Sequence, residues 1–269
     1  MCPGPESTTR THPAAPAAAP DPHGHGTRYL FIDVLRGSAI ALMILYHFCF
    51  DLDYFGFASF DFNNDPLWLG FRAFIVSMFL GLVGVSLWLS TRRGINPRSY
   101  LRRLALLVLY AGLASTASYL LYPDSMIFFG ILHFITVASV LGLLFRGFYW
   151  LNLALGVILI VLPWFFSHPF FDQTGLQWVG LMTHKPHTED YVPLIPWFGV
   201  VLLGLFAGRD FFSREPLPAV AGWHSSHRAA RVLAFGGRHS IHIYILHQPV
   251  LMGVLYVVAR LADHQGTGF

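Results

Sequence analysis

Tyr29-Leu-Phe-Ile-Asp33-Val-Leu-Arg36-Gly-Ser-Ala-Ile-Ala-Leu-Met-Ile-Leu-Tyr46-His47-Phe-Cys49-Phe-Asp51 is a nearly continuous apolar run that carries four ionisable groups. At roughly 100° per residue in a helix, Asp33, Arg36, His47 and Asp51 fall within an arc of about 60°. A helix of this length spans a bilayer, and its charged residues share one face. Charge at membrane depth is costly, so such residues face a bundle interior or a wet cavity and mark a substrate or proton site. This stripe is the candidate site.

The rest of the chain agrees with a membrane setting. Of 269 residues, 55% are hydrophobic, 16% aromatic and only 12% charged, and the mean hydropathy is +0.54. Soluble domains carry about a quarter charged residues. The net charge of +3 does not indicate a nucleic-acid partner, because the arginines sit at the ends of apolar runs rather than in one patch. Cys2 and Cys49 provide neither a disulfide framework nor a metal-ligand spacing. No metal is expected.

Spans of about 20 apolar residues give about seven transmembrane helices, placed at Tyr29 to Phe50, Pro66 to Ser90, Tyr100 to Leu121, Ser125 to Phe145, Phe148 to Ser167, Val192 to Phe212 and Ser240 to Leu261. The expected fold is an all-α polytopic helix bundle over residues 29–265. Residues 1–28, rich in Pro, Ala, Thr and His, are expected to form a disordered cytoplasmic tail rather than a signal peptide. Within that tail, His23-Gly24-His25 could bind metal weakly, although a solvated tail is by far the plainer reading. Arginines alternate between connections: Arg92, Arg93, Arg98, Arg102 and Arg103 surround the second, Arg146 the fourth, and Arg209, Arg214, Arg228, Arg231 and Arg238 the sixth. The positive-inside rule then places the N-terminus in the cytoplasm. On the opposite side, the segment from Ser167 to Tyr191 is long and polar, and an acceptor substrate could touch it.

Four segments in order resemble a known family. They are Asp33-Val-Leu-Arg36-Gly running to Tyr46-His47-Phe; Phe129-Gly130-Ile-Leu-His133-Phe; Pro196-Trp197-Phe198-Gly199 running to Gly208-Arg209; and Gly237-Arg238-His-Ser240-Ile-His-Ile-Tyr244-Ile-Leu-His247-Gln-Pro249. Together they resemble the heparan-alpha-glucosaminide N-acetyltransferase catalytic-like (DUF1624) family of transmembrane acyltransferases, related to the type 3 acyltransferases. The resemblance implies transfer of an acyl group, typically acetyl from acetyl-coenzyme A, to an amine or hydroxyl of an extracytoplasmic acceptor such as a sugar. It departs at one point. The lysosomal enzyme of the family places its proposed catalytic His beyond the first helix, where this chain has Ala58 and no His nearby, so His47 takes that role.

The residues suit that chemistry. His47 near its ordinary pKa can act as general base, and Asp51, one turn on, can orient it. A route through an acyl-His47 intermediate is also open, because a His can act as nucleophile. Arg36 can hold a coenzyme A phosphate, with Arg209 and Arg238 at the nucleotide end and Asp33 beside Arg36. Arg72, His133 and His247 are candidate substrate contacts, and His133, Arg72 or Tyr46 could face the developing oxyanion. Each has a plainer reading. Asp33 and Arg36 could neutralise each other, His47 could be a packing histidine, His133 and His247 could bond across to a neighbouring helix, and Arg72 could snorkel. The other functional class is a proton-coupled transporter or flippase using the same stripe, but the chain has no internal repeat of the kind transporters show. The expected location is the bacterial inner membrane, with the bilayer, the acyl-coenzyme A donor and the acceptor as partners; a homo-oligomer is compatible with the sequence.

Overall fold

A computed structural model describes residues 28–264, with side chains to Ala262. Apart from Arg28, the N-terminal tail with His23 and His25 lies outside the described residues. Eight α-helices follow one another: α1 Leu30–Tyr54, α2 Pro66–Thr91, α3 Pro97–Leu121, α4 Ile131–Phe145, α5 Tyr149–Val161, α6 Leu194–Phe212, α7 Arg228–Arg238 and α8 Ser240–His264. Among the described residues there is no β-strand, only an isolated bridge between Phe129 and Tyr191. The chain is an all-α membrane helix bundle.

Local sequence explains several boundaries. Asp65 caps α2 by accepting from the Leu67 N–H at 2.8 Å, and Asn96 caps α3 by accepting from the Ser99 N–H at 3.2 Å. In both cases a proline follows in the first turn, where its missing N–H costs nothing. After α1, Gly56 adopts φ +77, a left-handed conformation that stops the helix.

Two expected spans are shorter than the sequence suggests. Among the described residues, five helices are long and apolar enough to cross a membrane, namely α1, α2, α3, α6 and α8. By contrast, α4 has 15 residues and α5 has 13 before a 3₁₀ turn at Leu162–Trp164. The stretch 126–130 is extended rather than helical because it pairs with the end of the long loop: the Glu189 N–H donates to the Ser125 carbonyl at 3.0 Å and the Val192 N–H to the Phe129 carbonyl at 3.2 Å. The sixth connection, read from sequence as a loop, contains α7. Its Ala230, Ala234 and Gly237 are buried while Arg228, Arg231 and Val232 are exposed, an amphipathic pattern that folds once there is a surface to bury it.

The centre of the bundle is built by α2, α3, α4 and α6, with Leu80, Leu87, Phe134, Ala138, Val201, Leu202 and Leu205 essentially inaccessible. Apolar residues on α3 (Leu101, Val108, Leu113) and α8 (Leu246, Val250, Val254) are exposed, as expected of surfaces that meet lipid tails. Glycines set the closest helix approaches. A Cβ on Gly84 would overlap the Val201 carbonyl, one on Gly204 the Gly81 carbonyl, and one on Gly37 or Gly237 the facing backbone of α7 or α1. Packing through small residues is the usual basis of helix association in lipid.

Gly204→Ala should therefore destabilise the fold by about 1–3 kcal/mol through overpacking. Gly112→Ala, whose Cβ would meet nothing within 4 Å, should be neutral or gain up to about 1 kcal/mol from helix propensity. Thermal unfolding of the two variants in one detergent checks both signs.

Candidate active site

Along α1, two layers of polar residues reach other helices, the first toward α8 and the second toward α2 and α7. In the first, the His47 and His247 rings lie 5.0 Å apart, centroid to centroid, at an interplanar angle of 61°. One turn along α1, Asp51 is completely buried, and the Gln248 side-chain amide donates to its Oδ1 at 2.7 Å. The orientation of His247 follows from its neighbour: its Nδ1 lies 2.6 Å from the Tyr244 carbonyl, which can only accept, so Nδ1 carries the hydrogen. In the neutral ring Nε2 is then a bare lone pair. That atom, Asp51 Oδ2 and Gln248 Oε1 are buried without a hydrogen-bond partner among the described residues. Three acceptors in one helix–helix contact thus have no donor. Pro249 follows within α8 and removes the N–H that the Ile245 carbonyl would otherwise accept, loosening the helix where it carries these groups.

The sequence led us to expect Asp51 to orient His47. Instead, Asp51 turns to α8 and bonds Gln248, and neither ring nitrogen of His47 makes a hydrogen bond among the described residues. Beside His47, Tyr46 packs into an aromatic wall with Phe62, Trp68 and Phe71, and the Arg72 guanidinium faces its hydroxyl.

About 16 Å nearer the Arg-rich end, at 1.5 Å per residue, Arg36 joins three elements. Its guanidinium donates to Asp33 Oδ1 at 3.2 Å, to the Gly237 carbonyl at 3.3 Å and to Ser86 Oγ at 2.8 Å. Asp33 is buried and also accepts from the exposed Arg28 at 2.8 Å. Arg103 of α3 lies close enough to Arg36 to repel it. Asp33 is paired with two guanidiniums while Arg103 stands beside one of them, an excess of positive charge that suits an anion.

The remaining candidates lie apart from these layers. Both nitrogens of His133 are engaged: Nδ1 accepts from the Gly130 N–H at 3.3 Å, and Nε2 donates to Ser115 Oγ at 3.2 Å. Ser115 in turn donates to the Ile127 carbonyl at 2.5 Å. His133 thus closes the start of α4. Arg209 donates to the Gly147 carbonyl at 3.0 Å and lies over the Tyr149 ring at 5.2 Å, contacts that tie it to α5. Arg238 donates within its own helix to the Ala234 carbonyl at 3.1 Å and adjoins Gly237 in the Arg36 layer. No group of three His, Cys, Asp or Glu among the described residues is placed to hold a metal ion.

Gln248, Ser86, Arg103, Tyr244 and Asp190 were not singled out as site residues from sequence. For Arg103 and Tyr244 a signal existed, since Tyr100, Arg103, Leu107, Tyr110 and Ser118 repeat at helical spacing on α3, and Tyr244 lies one turn before Gln248. Asp190 had none, because it sits in a loop. There, burial pushes its carboxyl above the usual range, opposed by the Ile131 N–H, the Tyr244 hydroxyl and the Lys185 charge.

Arg36→Ala should cost about 3 kcal/mol or more, because it leaves Asp33 buried opposite only the exposed Arg28, whereas Asp33→Asn with Arg36→Gln should recover part of that loss. Denaturation of the three proteins in mixed micelles measures the difference.

The family model described as heparan-alpha-glucosaminide N-acetyltransferase, catalytic, matches residues 28–249, a range that begins just before α1 and ends just after the His247-Gln248 pair. No curated protein and no solved structure matches the chain. With most of its length covered, this chain belongs to the heparan-alpha-glucosaminide N-acetyltransferase catalytic family.

Proposed function

We propose that this protein is a membrane acyltransferase that moves an acyl group, acetyl in the simplest case, from cytoplasmic acyl-coenzyme A to an amine or hydroxyl on a carbohydrate or similar acceptor across a bacterial inner membrane. The observation that carries the reading is the set of three buried acceptors without a donor, Asp51 Oδ2, Gln248 Oε1 and His247 Nε2, beside His47. A primary ammonium offers three N–H donors to such a set. Family membership supplies the general acetyltransferase chemistry.

In this reading the coenzyme A phosphates meet Arg36, with Arg103 and Arg238 nearby and Arg209 further out on α6. The thioester then extends along α1 toward His47. His47 takes a proton from the acceptor ammonium, and the free amine attacks the thioester carbonyl. The new C–N bond forms, the C–S bond breaks, the departing thiolate recovers a proton from the imidazolium, and the regenerated neutral His47 takes the second proton from the nitrogen of the new amide and releases it to solvent. Asp51 acts through Gln248 to hold the acceptor end. Arg72 with Tyr46 is the donor pair best placed to face the oxyanion, since both nitrogens of His133 are engaged. The three-acceptor set favours an amine over a hydroxyl, because a hydroxyl satisfies only one acceptor.

Detergent-purified protein should bind acetyl-coenzyme A and release free thiol. His47→Ala should retain binding and lose about 100-fold or more in rate, and Arg36→Gln should weaken donor binding about tenfold. Absence of both binding and thiol release in the wild type would overturn the proposal in favour of transport. Orientation is tested separately in a background lacking the native cysteines. A cysteine at Lys185 should react with a membrane-impermeant maleimide on intact cells, and one at Arg146 should react only after permeabilisation.

A further inference from the structure

The end of the long α5–α6 loop is stitched into the bundle beside the histidine pair. Thr188 Oγ1 donates to the Met126 carbonyl at 2.7 Å, the backbone pairs Glu189 with Ser125 and Val192 with Phe129, and Asp190 occupies the middle of this seam. Its Oδ2 accepts from the Ile131 N–H at 2.9 Å, one of the donors left open at the start of α4. The same oxygen accepts from the Tyr244 hydroxyl of α8 at 3.2 Å. The position is shaped to receive it: a Cβ on Gly130 would overlap the carboxylate. Tyr244 in turn packs its ring against His247 at 5.5 Å between centroids, and His247 faces His47 at 5.0 Å.

We infer that Asp190 is a positioning residue for the proposed transfer, and that it acts through Tyr244 to hold the His247 ring against His47. The inference rests on the acyltransferase reading for its kinetic consequence and on geometry alone for its structural one. Asp190 is held by the start of α4 and by the backbone seam on either side of it, neither of which is part of α8. A hydroxyl anchored to it restrains the Tyr244 ring, which walls one face of the imidazole. Without the anchor the ring is free to change rotamer, and His247 keeps its bond to the Tyr244 carbonyl but loses the ring packing that, with that bond, aims its Nε2 lone pair. The role needs an acceptor oxygen rather than a charge, so Asn should serve in part where Ala does not.

Two readouts on the full-length protein in detergent test this. The first is the rate of diethylpyrocarbonate modification at His247, followed by mass spectrometry, which needs no substrate. Asp190→Ala and Tyr244→Phe should each change that rate severalfold, the double variant should match the singles rather than their product, and Asp190→Asn should lie near wild type. The second is thiol release from acetyl-coenzyme A, where Asp190→Ala and Tyr244→Phe should each lower kcat about tenfold with little change in KM, while Asp190→Asn stays near wild type. Tyr244→Phe removes a single oxygen and keeps the test open if Asp190→Ala fails to fold. Modification rates equal to wild type, or effects that multiply in the double variant, would overturn the inference. A wild type that releases no thiol while its His247 reactivity still depends on Asp190 would sink the acyltransferase reading and leave the positioning role standing.

Discussion

The guanidinium of Arg36 must be satisfied away from water, and much of the fold follows from how this is done. Its three acceptors come from α1, α2 and α7, so one side chain ties the first helix to an element some two hundred residues later. Leaving such a group unpaired in an apolar medium costs several kcal/mol, which gives α7 a reason to sit against α1. Gly37 and Gly237 make that approach sterically open. Only His239 separates α7 from α8, so the Arg36–Gly237 contact also sets where α8 begins.

The register of the histidine pair is a consequence. From Arg36 to His47 and from Gly237 to His247 the chain advances by nearly the same number of residues, about 15 Å at the rise of a helix. α1 is thus joined to α7 at the first level and to α8, which follows after His239, at the second, where the His47–His247 and Asp51–Gln248 contacts lie. A cation layer and a layer of bare acceptors thus lie along the same face of α1, about 16 Å apart at the rise of a helix, one suited to phosphate and the other to an ammonium.

At the other end of the bundle the constraint is on the backbone. Irregular chain is tolerated at membrane depth only where protein satisfies its polar groups, and the extended stretch before α4 meets that requirement by pairing with residues 188–192 of the long loop. This is why α4 is shorter than its apolar sequence. His133, Gly130 and Asp190 serve this junction together, which converts a histidine that looks like a ligand in sequence into part of a helix start.

Read alone, the sequence determined the class of fold, the positions of the long helices and the polar face of α1, because the apolar periodicity and the caps at Asp65 and Asn96 act locally. The family, too, was legible in four short segments now covered by the match over residues 28–249. Only the tertiary structure decided which groups on that face work together. Asp51 and His47 lie on one stripe, yet Asp51 bonds Gln248 and His47 faces His247, since partners across a helix contact depend on register and rotation that no single helix encodes. The shortened α4, the amphipathic α7 and the place of Asp190 were hidden for the same reason. Each is stabilised by hydrogen bonds or burial against residues far away in the chain, and those energies outweigh the local propensity that a sequence displays.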